Sequence, residues 1–594
     1  MAKFDLDTER LLGRFAFNYN LGDNLRFSFS QSIDRGGNRF YNFYPKGFET
    51  PTPGTLNDGS ILKSNNQFQL LLSDASINYR KEIENLKFGA TLKYQFENRE
   101  RFGETASGRN FLALGVESLQ NTTQDTRSIF SFVQEEIAEN IFLNLDFDYK
   151  DKLILNILGR RDKSSLFGAE TREKNYGRLS LAYILTEDIN ISNINYLKFR
   201  ASYGTSGNRP PVWDAQYETF NVTAASISPG ILGNNKLKPS TVSELEIGSD
   251  IQFLDNKLTL ELTYSLQNVE DDHILVPLSA VAGFTHQWKN IGNIKATALE
   301  VGLAADIIET SKFKWDANLL WDKITQEITD LGSVPPYTRQ IDNTAVNIFR
   351  VEENKPYGTL YGNVLAKSLD DLTVVDGIVL NDGGGNVLAD YTVNDNGHVV
   401  LKSAIGSEDE QALIIIDPET NTQLVKEIGD TNPDFNVGIS NRFWFNNFSL
   451  YTLIDWQQGG DIYNFSKQLI YFNERHADQD HFASQKKHIN YSNGASNLYN
   501  KSNPIDYFVE DGTYIKVREI SLSYTLKGNS LKNTLGDNID RVRISASGTN
   551  LFTLTNYSGW DPEVAIGTNP TNFRLDEFSY PNFKSYSISL NIDF

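Results

Sequence analysis

Ser585 to Phe594 reads S-Y-S-I-S-L-N-I-D-F. Successive side chains of an extended strand point to opposite faces. Tyr586, Ile588, Leu590, Ile592 and Phe594 therefore share one face, and Ser585, Ser587, Ser589, Asn591 and Asp593 share the other. A terminal strand that is apolar on one side, small and polar on the other, and closed by an aromatic residue is the form in which a transmembrane β-barrel ends. A soluble edge strand could alternate in the same way, so recurrence elsewhere decides.

The pattern recurs. In Lys257–Gln267 the residues Leu258, Leu260, Leu262, Tyr264 and Leu266 oppose Thr259, Glu261, Thr263 and Ser265. Leu197, Phe199, Ala201 and Tyr203 oppose Lys198, Arg200 and Ser202, and Trp315, Ala317, Leu319 and Trp321 oppose Lys314, Asp316 and Asn318. Charges on one face and Leu or Phe on the other suit a wet bore and a lipid exterior. On this reading Lys198, Arg200, Glu244, Glu246 and Glu261 line the lumen.

Composition narrows the class. No run approaches the roughly 18 apolar residues that a membrane-crossing helix requires, and the mean hydropathy is −0.40. Barrel strands need only about 9–11 residues with every second one apolar, so low hydropathy does not argue against a membrane. The 27 Tyr and 37 Phe fit aromatic girdles at two interfaces. The absence of Cys removes disulfides, thiolate metal sites and Cys nucleophiles. A net charge of −21 argues against nucleic acid as a partner, because a basic face would be expected.

Connections alternate in length. Tight polar turns are expected near Gly22–Asp23, Glu82–Glu84, Lys150–Lys152, Leu254–Asn256, Glu309–Lys312 and Asn446–Asn447. Long polar stretches lie between them, at 35–66, 99–125, 162–176, 205–240, 270–294, 326–433, 458–512 and 551–582. Short turns on the periplasmic side and long loops outside are the outer-membrane asymmetry. The fold expected is an all-β, large antiparallel transmembrane β-barrel of about 17 strands, with 126–149 as one strand. Both ends of a bacterial barrel lie in the periplasm, so an odd count predicts that earlier strands are missing and the sheet is unclosed. The start, M-A-K-F-D-L-D-T-E-R, has no apolar signal core, in keeping with a piece of a longer protein.

Several segments carry a resemblance. GRRDKSSLFG (159–168), LKFRASYGTSGN (197–208), NNKLKPSTVSELEIG (234–248), NIGNIKATALEVGL (290–303), NPDFNVGISNRF (432–443), DGTYIKVREISLSYTL (511–526), TNYSGWDPEV (555–564) and YPNFKSYSISLNIDF (580–594) follow in that order. The chain resembles the carboxy-terminal barrel portion of SusC/RagA-type TonB-dependent outer-membrane transporters of Bacteroidota. The resemblance implies a barrel of about 22 strands filled by a plug, and a TonB box coupling it to the TonB complex. It also implies a SusD-like lipoprotein lid and import of glycans or other large nutrients. The plug, the TonB box and about the first five strands are not found in this sequence, so coupling to TonB would run through the missing amino-terminal part. Residues 1–594 are read as one partial barrel domain with a long extracellular insertion at 326–433. Outer-membrane lipid and the barrel-assembly machinery are further partners, the latter reading Tyr586, Ile588, Leu590, Ile592 and Phe594 as an insertion signal.

Loop aromatics Trp213, Tyr217, Trp288, Tyr337 and Trp560 are the candidates for contacting ligand or lid, since a sugar face stacks on an aromatic ring. The competing expectation is that they pack inside long loops. Trp560, in S-G-W-D-P-E-V, is the one most expected to pack. The run Asn381–Asp395 is rich in oxygen ligands but lacks the spacing of a calcium loop, so a turn-rich surface loop is expected. His476 and His481 are five apart with no supporting residues, and solvated loop histidines are expected. No metal site, cofactor or catalytic residue is expected: the nucleophile-elbow, H-E-x-x-H and phosphate-loop motifs are absent from the sequence. Alternatives to nutrient uptake are a passive porin or structural barrel, an outer-membrane enzyme, or a secreted glycan-binding β protein.

Overall fold

The computed structural model describes residues 2–49, 56–213, 215–222, 226–339, 346–407, 410–473, 475–477, 503–528, 539–564 and 574–593. Seventeen strands belong to one sheet. They are β1 (Lys3–Leu21), β2 (Leu25–Tyr44), β3 (Ser60–Ile83), β4 (Leu86–Arg109), β5 (Ser128–Tyr149), β6 (Leu153–Ser164), β7 (Glu173–Ile184), β8 (Ile194–Ser206) and β9 (Thr241–Phe253). The remainder are β10 (Leu258–Glu270), β11 (Asn293–Glu309), β12 (Phe313–Asp330), β13 (Pro433–Phe445), β14 (Phe448–Gly459), β15 (Tyr514–Lys527), β16 (Arg541–Thr555) and β17 (Ser585–Asp593). The stretch expected to be one strand at 126–149 is β5, 22 residues long.

The chain forms two compact bodies. The first comprises Met1–Ile184, Arg200–Leu245 and Asn268–Gly292; the second comprises Leu185–Phe199, Glu246–Gln267 and Asn293–Phe594.

In the first body β1 to β7 pair antiparallel with their chain neighbours in unbroken register. The turns fall where the sequence places them. Lys150 and Asp151 both take positive φ, 58° and 56°, the backbone that matches the twist of a two-residue hairpin. Near these turns one face is continuously apolar: Phe17, Tyr19, Phe27, Phe29, Ile77, Tyr79, Leu92, Tyr94, Ile141 and Leu143 share it by register. Gln31 faces the same way, and its amide is occupied by Ser73 Oγ (2.7 Å) and the Leu72 carbonyl (3.3 Å). Rings cluster at the turn end, with Phe88 5.2 Å from Phe147 and 6.2 Å from Tyr79.

Strands here run well past the apolar band. β3 and β4 are 24 residues each, against the about 9–11 that cross a membrane. Much of 35–66 and 99–125, expected as loop, is therefore strand: β2 reaches Tyr44, β3 begins at Ser60 and β4 reaches Arg109. Beyond the band Glu9, Arg35, Gln69, Glu100 and Glu135 occupy the face that is apolar below. With water on both sides the apolar alternation disappears while the ladder continues, which is why the pattern reads as loop.

In the second body β11–β12–β13–β14–β15–β16–β17 pair in turn. Trp315 stacks on Phe443 at 5.5 Å and Phe448 meets Tyr524 at 4.7 Å, close to the short turns. Tyr586, Ile588, Leu590 and Ile592 lie on β17 opposite Gly548, Ala546, Ile544 and Val542; Phe594 lies outside the described residues. The alternation in Tyr514–Tyr524 slips phase at Arg518–Glu519, and the ladder has a bulge there, between the Val517 and Glu519 pairs. The bulge keeps Ile515 and Val517, then Ile520 and Leu522, on one face.

The insertion expected at 326–433 spans 331–432, because β12 ends at Asp330 and β13 begins at Pro433. It folds around its own core. Val346, Ile348 and Leu360 are fully buried against Tyr463, Phe465, Phe508 and Leu575 from the two later loops. Phe465–Phe472, within the expected 458–512 loop, forms an α-helix capped by Asn464.

Candidate functional site

The face opposite the apolar band carries the polar chemistry. In the first body Lys93 Nζ lies 2.8 Å from Asp74, Gln95 donates to the same carboxylate at 3.0 Å, and Asn156 bridges Asn144 and Asp146 at 2.9 and 2.6 Å. Charged and amide groups are thus satisfied laterally along the sheet, as buried or half-buried polar groups require. Toward the long-loop end this face hollows into a cavity of about 660 Å³, lined among others by Arg10, Asp34, Phe68, Arg99, Arg101 and Phe132.

Of the residues expected to line a lumen, Lys198 is half-buried on β8 and its Nζ is 2.8 Å from Asp250 of β9. Arg200 is half-buried on β8, Glu246 is half-buried and Glu244 exposed on β9, and Glu261 is exposed on β10. They alternate with Phe199, Tyr203 and Ile247, which are about half exposed.

Three loops of the first body are knitted together. Ile231–Leu232 runs parallel to His286–Gln287, and Asn234 donates to the Trp288 carbonyl at 2.9 Å. Gly168 N and Thr171 Oγ1 both donate to the Leu237 carbonyl, at 2.6 and 2.8 Å. This assembly carries Trp213 and Tyr217, both exposed, and Trp288, half-buried. Tyr337, half-buried, sits in the second body on a short strand paired with Phe349–Val351.

Trp560 departs from expectation: the residue is 75% exposed. Its neighbours are what pack, Tyr557 and Asp561 both being buried. Lys516 Nζ, its side chain 3% exposed, holds Asp561 at 2.6 Å and Glu563 at 2.5 Å. Arg518, delivered by the β15 bulge, clasps Glu563 and Asp455. Glu510 accepts from Ser558 N and Oγ at 2.7 Å each, and Tyr557 donates to Asp576 at 2.5 Å. Burial pushes the Glu563 carboxyl up, but Arg518 and Lys516 outweigh it and hold it down at about 2. The signals for this knot in the sequence are the phase slip at Arg518 and the two carboxylates of D-P-E.

The Asn381–Asp395 run behaves as a turn-rich loop. Asp382 accepts from the backbone N–H of Gly384, Gly385 and Asn386 and from the Asn386 amide and the Tyr391 hydroxyl, all within 3.0 Å. Both carboxylate oxygens already face donors. Among the described residues no cluster of three His, Asp or Glu could hold a metal ion. His476 stacks on Tyr471 with centroids 4.2 Å apart; His481 lies outside the described residues.

A long antiparallel sheet with one face apolar in a band edged by aromatic rings, and the other face polar, defines an outer-membrane β-barrel protein. No helix among the described residues is long and apolar enough to cross a membrane. The family model described as TonB dependent receptor-like, beta-barrel, matches residues 2–397, two thirds of the chain, and the chain belongs to that family. It is similar to TonB-dependent receptor P39 of Formosa agariphila, 26% identical over 503 residues that cover 77% of this chain and 46% of that one. It is also similar to TonB-dependent receptor SusC of Bacteroides thetaiotaomicron, 22% identical over 488 residues that cover 76% of this chain and 43% of that one. The solved RagAB peptide transporter has the same fold, with a TM-score of 0.75 at 18% identity, over 100% of this chain and 63% of that chain. The chain spans about half the length of the curated relatives it matches. These relatives and neighbours are receptors and transporters rather than enzymes.

Proposed function

We propose that this chain is the barrel portion of a TonB-dependent outer-membrane transporter for glycans or other large nutrients, with a SusD-like surface lipoprotein as its lid. The observation that carries this reading is the pairing of a polar face, bridged laterally between strands at Lys93–Asp74 and Asn144–Asn156, with extracellular loops that are folded rather than loose. An insertion with its own core and loops knitted by hydrogen bonds give a fixed outer surface, which suits holding a large cargo or a lid. In this reading Lys198, Arg200, Glu244, Glu246 and Glu261 line the bore, and Trp213, Tyr217, Trp288, Tyr337 and Trp560 meet cargo or lid. Energy would reach the barrel through an amino-terminal plug and its TonB-contacting segment. The relatives named TonB-dependent receptor, SusC among them, support the coupling.

Deletion of the gene in its own host tests the reading. Loss of growth on one class of polymeric nutrient, with growth on its monomers intact, is the expected result. Co-purification of a lipoprotein with the tagged full-length protein tests the lid. Unchanged growth on every polymer tried, with small solutes leaking less, would instead make the barrel a passive pore.

A further inference from the structure

We infer that the free edge of β5, beyond the apolar band, captures short peptides, which join it as an added antiparallel strand with their amino terminus beside Glu135. The inference rests on the transport reading above and names a cargo class for it.

β5 outruns its neighbour on one side. It pairs with β4 from Ser128 to Tyr149 but with β6 only from Ala138 to Tyr149. β6 leaves the ladder at Ser165, whose N–H donates to the Ile137 carbonyl at 2.9 Å and whose Oγ accepts from Ile137 N at 3.0 Å. Both main-chain groups of Ile137 therefore point away from β4. Lateral direction alternates along a strand, and the register with β4 is unbroken. The N–H and C=O of Ile129, Ser131, Val133 and Glu135 consequently point the same way as those of Ile137. None of these main-chain groups has a hydrogen-bond partner among the described residues. Past Ser165 the chain turns to Leu237, whose carbonyl accepts from Gly168 N at 2.6 Å.

Proteins normally guard such an edge with lysine, proline, a bulge or a covering element. Ser128–Glu136 reads S-I-F-S-F-V-Q-E-E. It has no lysine, proline or bulge, and Ile129 and Val133 are 86% and 68% exposed. Its only charges, Glu135 and Glu136, stand at the end where β6 leaves.

Donors and acceptors at ladder spacing are completed by another main chain, which a sugar or a lipid does not have. A second copy of this chain is not that strand. Antiparallel pairing of two β5 edges needs a two-fold axis normal to the sheet, which would invert one barrel in the membrane. A guest that continues the line of β6 runs antiparallel to β5, so its first residue falls beside Glu135. Glu135 is exposed, and among the described residues its carboxylate meets only the Asn98 amide, at 3.3 Å. An α-ammonium is complementary to it, and a free peptide carries one there whereas an internal segment of a folded partner does not. Alternate guest side chains would stand with Ile129 and Ser131 on the face that is apolar lower down, which turns away from the bore. A cavity of about 580 Å³ lies beside them, lined also by Lys63, Asn65 and Glu104.

The test is calorimetric titration of the full-length protein in detergent with the peptide amide Ser-Val-Thr-Leu-Thr-Val-Gln, its N-acetyl form, and a form N-methylated at the consecutive Thr-Leu. The free peptide should bind, and hydrogen exchange of fragments covering 128–136 should slow when it does. Methylation removes a donor in either register and should weaken binding at least about tenfold. Val133→Pro should do the same, since it deletes an outward N–H and spares the β4 ladder. Acetylation should cost about twofold to fivefold, and Glu135→Gln should erase that difference. No binding of the free peptide, equal binding of the methylated form, or indifference to Val133→Pro overturns the edge. Equal binding of the acetylated form overturns the free peptide in favour of an internal strand of a partner protein. Binding as expected, with peptide uptake untouched by deletion of the gene, would sink the transport reading and leave the site standing.

Discussion

Replacing Lys516 by methionine should free the segment that carries Trp560 without unfolding the strands beneath it. Lys516 is 3% exposed and serves two carboxylates, Asp561 at 2.6 Å and Glu563 at 2.5 Å. Methionine keeps most of the volume and removes the charge. Removing one partner of a buried ion pair costs roughly 3–5 kcal/mol, because the other charge is left without compensation. The low end applies here, since Asp561 still accepts from Glu563 N and Asn582 N, both at 3.0 Å, and Glu563 keeps Arg518. About 3 kcal/mol corresponds to roughly a hundredfold in the local opening equilibrium. Hydrogen exchange followed by mass spectrometry reads this directly: peptides covering 556–564 should exchange about a hundredfold faster, while β15 peptides keep their protection. Asp561→Asn added to Lys516→Met should restore part of the protection, because it removes the orphaned charge. Unchanged exchange over 556–564 in Lys516→Met would show that other contacts hold the segment and that the ion cluster is incidental.

Acid should act on the same knot. Glu563 has an ordinary carboxyl value near 4.5 when unfolded and is held at about 2 when folded. Its contribution is therefore complete above the unfolded value and is lost as pH falls through about 2, so proteolysis beside Trp560 should rise between those limits and not above them. Asp382→Ala should loosen the Gly384–Asn386 turn by about 1–3 kcal/mol, since three backbone donors lose their acceptor, whereas added calcium should leave the melting of the insertion unchanged. Leu143→Arg, on the apolar face between Leu92 and Gly159, should cost about 2–4 kcal/mol in a bilayer-folding titration; a neutral result would mean that this face does not meet lipid.

Strand number, the single long strand at 126–149 and six turns are legible in the sequence because each rests on a local rule. Alternation is a two-residue period, and Asp151 or Asp255–Asn256 are of the types that tolerate left-handed backbone at a hairpin. What is not legible begins where the environment stops being asymmetric. Residues 35–44 and 99–109 are strand, yet polar side chains stand on both faces of most of their length and the one apolar cluster there, Phe43 with Ile61 and Phe111, is assembled across strands, so no apolar period marks them. The helix at Phe465–Phe472 and the core of the insertion depend on partners more than a hundred residues away, such as Leu575 against Val346, and no local pattern announces them.

The candidate site divides along the same line. Residue type shows that an arginine or a tryptophan is present; it does not show what the side chain already touches. Trp560 sits in a polar, turn-rich segment and would be expected to anchor it by burial, but the anchoring falls to Ser558, Asp561 and Glu563, which leaves the indole outward. Arg518 and Arg101 are similar in sequence, each beside a glutamate in a strand. Arg518 is neutralised by Glu563 and Asp455, whereas Arg101 has no carboxylate and opens on a cavity. In an acidic chain the expectation for any arginine is that it is neutralised within the fold. Which of the two fates an arginine meets is decided by the side chains that the ladder and the loops bring beside it, and residue type alone does not carry that information.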